Sequence, residues 1–313
     1  MSLRTTAATR FDSFNLYRTS YKKIGDHEIE VNVLVPKGTK PGKHPVLVKW
    51  HGGGLSTGTA AYPNWFGGFF VPFLHRNSAI AILPNYRLTP EHTGKEILED
   101  ITDFWAWFKT SLPAYVDSKE RGFGLDFTKV LVSGDSAGGW CALQSVLSLP
   151  EGSFKASLIQ YPLVNSFPVS PTDTPMGLSI GSKEELDEIL AAIKPGTVVS
   201  GATPPARGFL TTMMQAHGRW DEYFGTGKEL MPDTRVEDAK FLAPTYIIHP
   251  EDDSVVPVKW THAFVEKAKK ALPDAKIKLV SPPGEHGFDI DMYEEDQPWL
   301  KELLKEVEGD WLA

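Results

Sequence analysis

A single cysteine, Cys141, in 313 residues excludes a disulfide framework and any thiolate zinc site. Basic residues are scarce as well. The chain carries 32 Lys and Arg against 40 Asp and Glu, a net charge of −8, which argues against a nucleic-acid partner because phosphate binding needs a local excess of cations. No apolar h-region lies between Met1 and Asp12, as a secretory signal requires; with the lone cysteine, this points to the cytoplasm. Trp50 to His75 holds no Asp, Glu, Lys or Arg. A spanning helix needs about 20 mostly apolar residues, but Gly52, Gly53, Gly54, Pro63 and Pro72 mark this stretch as loops, so stable membrane insertion is not expected.

What is present is a large core. Apolar residues make up 41% of the chain and aromatics 11%, which excludes wholesale disorder. Short β-branched runs at Glu28–Val35, Val46–Trp50, Ala79–Leu83, Val130–Ser133, Ser157–Gln160, Thr245–His249 and Lys276–Val280 read as strands. Several are continuously apolar, the pattern of strands buried on both faces. Helical stretches at Gly94–Phe108, Ala137–Leu149, Val258–Ala271 and Tyr293–Val307 alternate with them. This predicts an α/β fold with a mostly parallel sheet covered by helices, opening with an antiparallel pair joined across Gly25-Asp26. Between Tyr161 and Phe241 no buried strand is evident, only loops and two helical patterns, Ser182–Ile193 and Pro205–Phe224. About 80 residues without a strand is better read as an insertion than as a loop. The expected organisation is one domain over 1–313, with a helical cap inserted at about 163–238 and residues 1–27 a candidate contributor to it.

The strongest chemical signal is Gly134-Asp-Ser136-Ala-Gly138-Gly139, after a strand and before a helix. That context makes G-x-S-x-G a nucleophile elbow, with small neighbours because larger side chains would clash at the turn. The helix N-terminus adds positive potential beside the serine. A second signal, His51-Gly52-Gly53-Gly54, directly follows a strand. Glycines let backbone N–H groups approach a ligand unobstructed, and acyl transfer needs such donors for the charge collecting on the carbonyl oxygen, one donor supplying about 3 kcal/mol. The N–H groups of Gly53, Gly54 and Ala137 are the candidate oxyanion hole.

With these two motifs and Tyr86-Arg87-Leu88-Thr89-Pro90-Glu91-His92, the chain resembles the hormone-sensitive-lipase-like branch of the α/β-hydrolase fold, from about Val31 to the C-terminus. The resemblance implies an α/β-hydrolase fold with an inserted helical cap, and a serine esterase acting on small or medium acyl esters. It also implies that Arg87 and Glu91 are scaffold; four residues apart in a loop, they are expected to pair.

Serine needs a base that titrates near neutrality. Of nine histidines, His286 is best placed, in Gly284-Glu-His-Gly-Phe288 between the last strand and the last helix. His51 is expected to serve hydrogen bonding in the oxyanion loop, and His249 and His262 only packing. The acid should fall between serine and histidine in chain order. His249-Pro-Glu251-Asp252-Asp253-Ser-Val-Val-Pro257 aligns best on Asp253, with Asp252 the alternative, since Pro250 stands where glycine is usual. The candidate triad is therefore Ser136, His286 and Asp253.

Trp65 and Phe66 from the uncharged stretch, with Phe209 and Met213 from the cap, are the candidate substrate-binding residues, whereas Phe70 and Phe73 read as core. Met214 and Trp220 are further candidates to close the pocket from above. No cofactor and no metal are expected. The expected partner is a small-molecule acyl ester, with a second copy of the chain a candidate homodimer partner. A lyase, cyclase or acyl transferase of secondary metabolism would use the same site, because fold does not fix reaction class. A non-catalytic receptor fits less well, since such proteins usually lack a triad member.

Overall fold

The computed structural model describes residues 3–313. In chain order its elements are β1 (Phe14–Ile24), β2 (His27–Pro36), β3 (Gly42–Trp50), α1 (Phe70–Arg76), β4 (Ile80–Pro84), α2 (Gly94–Thr110), α3 (Leu112–Lys119), β5 (Phe123–Asp135) and α4 (Ala137–Ser148). There follow β6 (Ala156–Gln160), α5 (Lys183–Ala191), α6 (Leu210–Ala216), α7 (Trp220–Phe224), α8 (Pro232–Arg235), β7 (Thr245–Ile248), α9 (Val258–Ala271), β8 (Ile277–Val280) and α10 (Pro298–Trp311). The eight strands form one sheet in the order β1-β2-β4-β3-β5-β6-β7-β8. The β1–β2 and β2–β4 pairings are antiparallel, and the remainder are parallel.

Side-chain alternation along the strands divides the core in two. Val46, Val48, Ile80, Ile82, Val130, Val132 and Ile159 face one side, where α2, α4 and α9 supply Phe104, Trp140 and Phe264. Leu47, Ala81, Leu83, Leu131, Leu158 and Tyr246 face the other, against Phe70 and Phe73 of α1 and Leu300, Leu304 and Trp311 of α10. Each fully buried large apolar side chain stabilises the fold by about 1.5–3 kcal/mol. The continuous apolar runs are thus strands covered on both faces.

The element boundaries differ from expectation where polar residues or backbone geometry intervene. β5 starts at Phe123, seven residues before the apolar run, because its first half carries Asp126, Thr128 and Lys129 at the surface and still pairs with β3. The last helix begins at Pro298 rather than Tyr293; proline fits the first helical turn, where no N–H is needed. The Ser182 start is as expected: its hydroxyl accepts the Glu185 N–H at 3.1 Å, and Glu185 accepts the Ser182 N–H at 2.8 Å. The Pro205–Phe224 pattern is two short helices, not one. Phe209 and Gly218 adopt left-handed conformations, and α6 and α7 lie between and after them. Residues 14–24 form one edge of the sheet and β8 the other, and from the N-terminal stretch His27 reaches the β6–β7 segment through Ser200 Oγ, at 2.7 Å. Among the described residues, no helix is long and apolar enough to cross a membrane.

Candidate active site

Because β5, β6, β7 and β8 are parallel neighbours, their carboxyl ends lie side by side. Ser136 sits at the end of β5 with φ 54° and ψ −118°, a strained backbone for a non-glycine residue costing about 1–3 kcal/mol. The turn is closed by direct backbone approach. A Cβ on Gly134 would lie 2.0 Å from the Gly138 carbonyl oxygen, and one on Gly138 would lie 2.2 Å from that of Trp50. Neither position accepts a side chain.

His286 follows β8, and its Nε2 is 3.0 Å from Ser136 Oγ. Its Nδ1 is 2.8 Å from Asp253 Oδ2, in the loop after β7. Asp253 also accepts the backbone N–H groups of Val255 and Val256 at 2.9 and 2.7 Å. Burial by itself raises its pKa, but the hydrogen bonds from His249 and His286 prevail and hold the carboxyl well below its ordinary range. Of the two aspartates left open by the sequence, Asp253 is the one in contact with His286. Asp252 is exposed, and among the described residues its carboxylate accepts the Gly284 N–H alone, at 3.4 Å.

The loop after β3 faces the serine. Asp135 reaches over to it, accepting the Gly52 N–H at 3.1 Å while forming a buried ion pair with Lys49. His51 stacks on Tyr86 at 4.4 Å and holds the Gly52 carbonyl at 2.8 Å through Nδ1. Burial lowers its pKa to about 4, so the ring is neutral. The Gly53 and Gly54 N–H groups donate to no acceptor among the described residues, and Ala137 opens α4 beside them.

These residues lie on a cavity of about 310 Å³, with Gly53, Gly54, Ser136 and His286 in its wall. Trp65 and Phe209 line it. Phe66 and Met213 do not. Phe66 turns into the α1 core, 5.3 Å from the Phe11 ring and 5.5 Å from Phe70, because it leaves the Pro63–Trp65 turn in extended conformation, at φ −93° and ψ 105°. Met213 lies on the inner side of α6, packed towards Gly181. Met214, fully buried, and Trp220, stacked on Phe224 at 4.6 Å, do not line the cavity. Tyr161, Phe167, Met176, Leu178, Val255 and Ile290 supply most of the remaining apolar wall; they come from loops with no periodicity to read.

Two other expectations are corrected. Arg87 and Glu91 do not pair. Arg87 binds Asp100 at 2.9 Å, Glu96 at 3.0 Å and Glu99 at 2.9 Å, all on α2, whereas Glu91 pairs with Arg207. Helix α2 offers Arg87 three carboxylates on one face, more than a single loop glutamate can. His249 does more than pack: its Nε2 lies 2.7 Å from the Val256 carbonyl and 3.3 Å from Asp253 Oδ2, and Nδ1 lies 2.8 Å from Thr261 Oγ1.

Sequence reasoning also missed several supports of the site. Lys49 interrupts the apolar run of β3, and that single charge was the available signal for the pair with Asp135. Glu285 joins the two loops, accepting the Ser254 N–H at 2.7 Å, the Ser254 hydroxyl at 2.6 Å and the His286 N–H at 2.7 Å. Asp289 is buried and accepts from Gln160 and Tyr161 at 3.0 and 2.9 Å; burial nevertheless raises its pKa. The Tyr161 ring in turn stands edge-on to His286 at 4.6 Å. Cys141 is buried, which raises its thiol pKa and leaves it inert. Among the described residues, no group of three or more His, Cys, Asp or Glu side chains is placed to hold a metal.

The α/β hydrolase fold family matches residues 47–289. The chain belongs to that family, in the hormone-sensitive-lipase-like branch that its motifs resemble. Over 97% of its length it is 29% identical to the probable carboxylesterase M8 of a Phoma species, covering 98% of that protein. It is 32% identical to the probable carboxylesterase clz11 of Cochliobolus lunatus, over 58% of this chain and 87% of the relative. In structure it is similar to esterase 2 of Thermogutta terrifontis phosphoramylated by tabun, with a TM-score of 0.59 and 20% identity over 96% of this chain and 94% of that one.

Proposed function

We propose that the chain is a carboxylic ester hydrolase in which Ser136 is the nucleophile, His286 the general base and Asp253 the acid that orients it. The observation carrying this reading is the unbroken run of contacts Ser136–His286–Asp253, at 3.0 and 2.8 Å, opening onto the cavity. Ser136 Oγ attacks the ester carbonyl as His286 Nε2 takes its proton. The resulting oxyanion is received by the N–H groups of Gly53, Gly54 and Ala137. Collapse expels the alcohol, which takes the proton from His286, and leaves an acyl group on Ser136. Water, deprotonated by His286, then releases the acid and restores the serine.

The segment between β6 and β7 acts as a cap on the catalytic domain, supplying Phe167, Met176, Leu178 and Phe209 to the cavity wall. Among the described residues no Lys or Arg lines that cavity, so none of them there would compensate an anionic substrate, and the size and apolar lining suit an uncharged ester of small or medium acyl group. The likeness to two probable carboxylesterases supports the same reaction class. Replacing Ser136 by Ala is expected to reduce turnover of p-nitrophenyl butyrate by about 10⁴-fold or more and to abolish labelling by a fluorophosphonate. Undiminished turnover in S136A would overturn the assignment.

A further inference from the structure

The loop carrying Gly53 and Gly54 is closed from within at Gly53, whose carbonyl accepts the Ser56 and Thr57 N–H groups at 3.1 and 3.0 Å. Gly53, Gly54, Leu55 and Gly58 all have positive φ, and for so permissive a backbone contacts from outside the loop add to those within it in selecting one conformation. Many of the outside contacts come from residues 202–211, in the segment between β6 and β7. The Thr211 hydroxyl reaches the Gly54 carbonyl and, at 2.8 Å, Ser56 Oγ. Thr57 Oγ1 donates to the Ala206 carbonyl at 2.6 Å. Gly58 and Ala202 exchange backbone hydrogen bonds of 2.8 Å in both directions. Arg207, paired with Glu91, lies 3.4 Å from the Ser56 carbonyl oxygen through Nη1. Thr211 comes so close that a Cβ added to Gly54 would stand 2.9 Å from its Oγ1 and 3.0 Å from its Cβ.

We infer that Thr211 is a positioning residue for the reaction: its hydroxyl, by holding the Gly54 carbonyl, fixes the peptides on either side of Gly54 so that the loop's N–H groups meet the oxyanion. The inference rests on the function proposed above. It makes the inserted segment a structural part of the oxyanion hole as well as a wall of the cavity. Preorganised donors stabilise a transition state because they do not have to reorient as charge develops. A loop held at Gly52 by Asp135 but released at Gly54 loses that advantage. Ground-state binding in the apolar cavity is affected far less.

The test compares Thr211→Val, which keeps the shape and removes the hydroxyl, with Thr211→Ser, which keeps the hydroxyl and removes the methyl. With p-nitrophenyl butyrate, T211V is expected to lower kcat about 10- to 100-fold with KM changed less than threefold, and T211S to stay within about threefold of the parent in kcat. The rate of Ser136 labelling by a fluorophosphonate should fall in T211V alongside kcat. Equal losses in T211V and T211S, or a T211V kcat within twofold of the parent, would overturn the inference. If T211V does not give a cooperative thermal transition, Thr211→Ala, which introduces no new contact, replaces it under the same criteria. A parent chain that turns over the ester independently of Ser136 defeats the proposed function itself. Ser136-dependent turnover with an unaffected T211V defeats only the role of Thr211.

Discussion

Glu91 forms its ion pair with Arg207, joining the loop after β4 to the turn that precedes α6. Both side chains are largely buried, at 9% and 20% exposure, so neither carboxylate nor guanidinium is well hydrated once its partner is lost. A double-mutant cycle of Glu91→Gln and Arg207→Met, followed by urea unfolding, is expected to give a coupling energy of about 1–3 kcal/mol. The double variant should lose less stability than the sum of the two single losses. A coupling below about 0.5 kcal/mol would show that the pair does not clamp the segment to the core.

Asp253 and Asp252 are adjacent in sequence but not in environment. Asp253 is held in its ionised form by His249, His286 and two backbone N–H groups, so it carries charge throughout the neutral range. Asp253→Asn keeps the shape but removes the charge that supports a protonated His286, and kcat should fall by roughly 10³–10⁴-fold. Asp252→Asn should remain within about twofold of the parent. Ester hydrolysis at neutral pH separates the two, and comparable losses in both variants would place the acid elsewhere.

Burial lowers the pKa of His51 to about 4, whereas an unfolded chain protonates this side chain near 6.5. Between those values the unfolded state takes up a proton that the folded state refuses, so stability from this group is complete above pH 6.5 and is lost as the pH falls towards 4. The difference corresponds to about 3 kcal/mol. Urea unfolding measured from pH 7 to pH 4.5 should show this slope, and His51→Gln should flatten it. An unchanged slope in H51Q would assign the acid sensitivity to other groups.

The fold was legible because its strands are long enough and apolar enough to stand out. Ile80-Ala-Ile-Leu is buried at every residue, and no amphipathic helix has that pattern. The polar first half of β5 was invisible for the opposite reason, since pairing with β3 rather than burial keeps it extended. In the site, the proposed reaction calls for the residue types of Ser136 and His286, and the topology sets the loops that carry them. The cavity wall was only partly readable. Trp65 and Phe66 are neighbours of the same character, and the turn of the chain, which no composition encodes, sends one to the cavity and the other to the core. Arg87 paired with α2 instead of Glu91 because three carboxylates gather there only after the helix has formed.

His286 lies beyond β8, a four-residue strand at the open edge of the sheet whose side chains are only half-buried. Ser136 lies beyond β5 in the protected middle, with the β5–β6, β6–β7 and β7–β8 pairings between the two strands. The proposed base is therefore carried by an edge of the sheet, while the two core clusters lie mostly on its inner strands. Fraying at that edge would withdraw the histidine and silence the serine while the core stayed intact. On the proposed mechanism, ester hydrolysis is therefore expected to be lost under milder conditions than the cooperative fold, as two separate events.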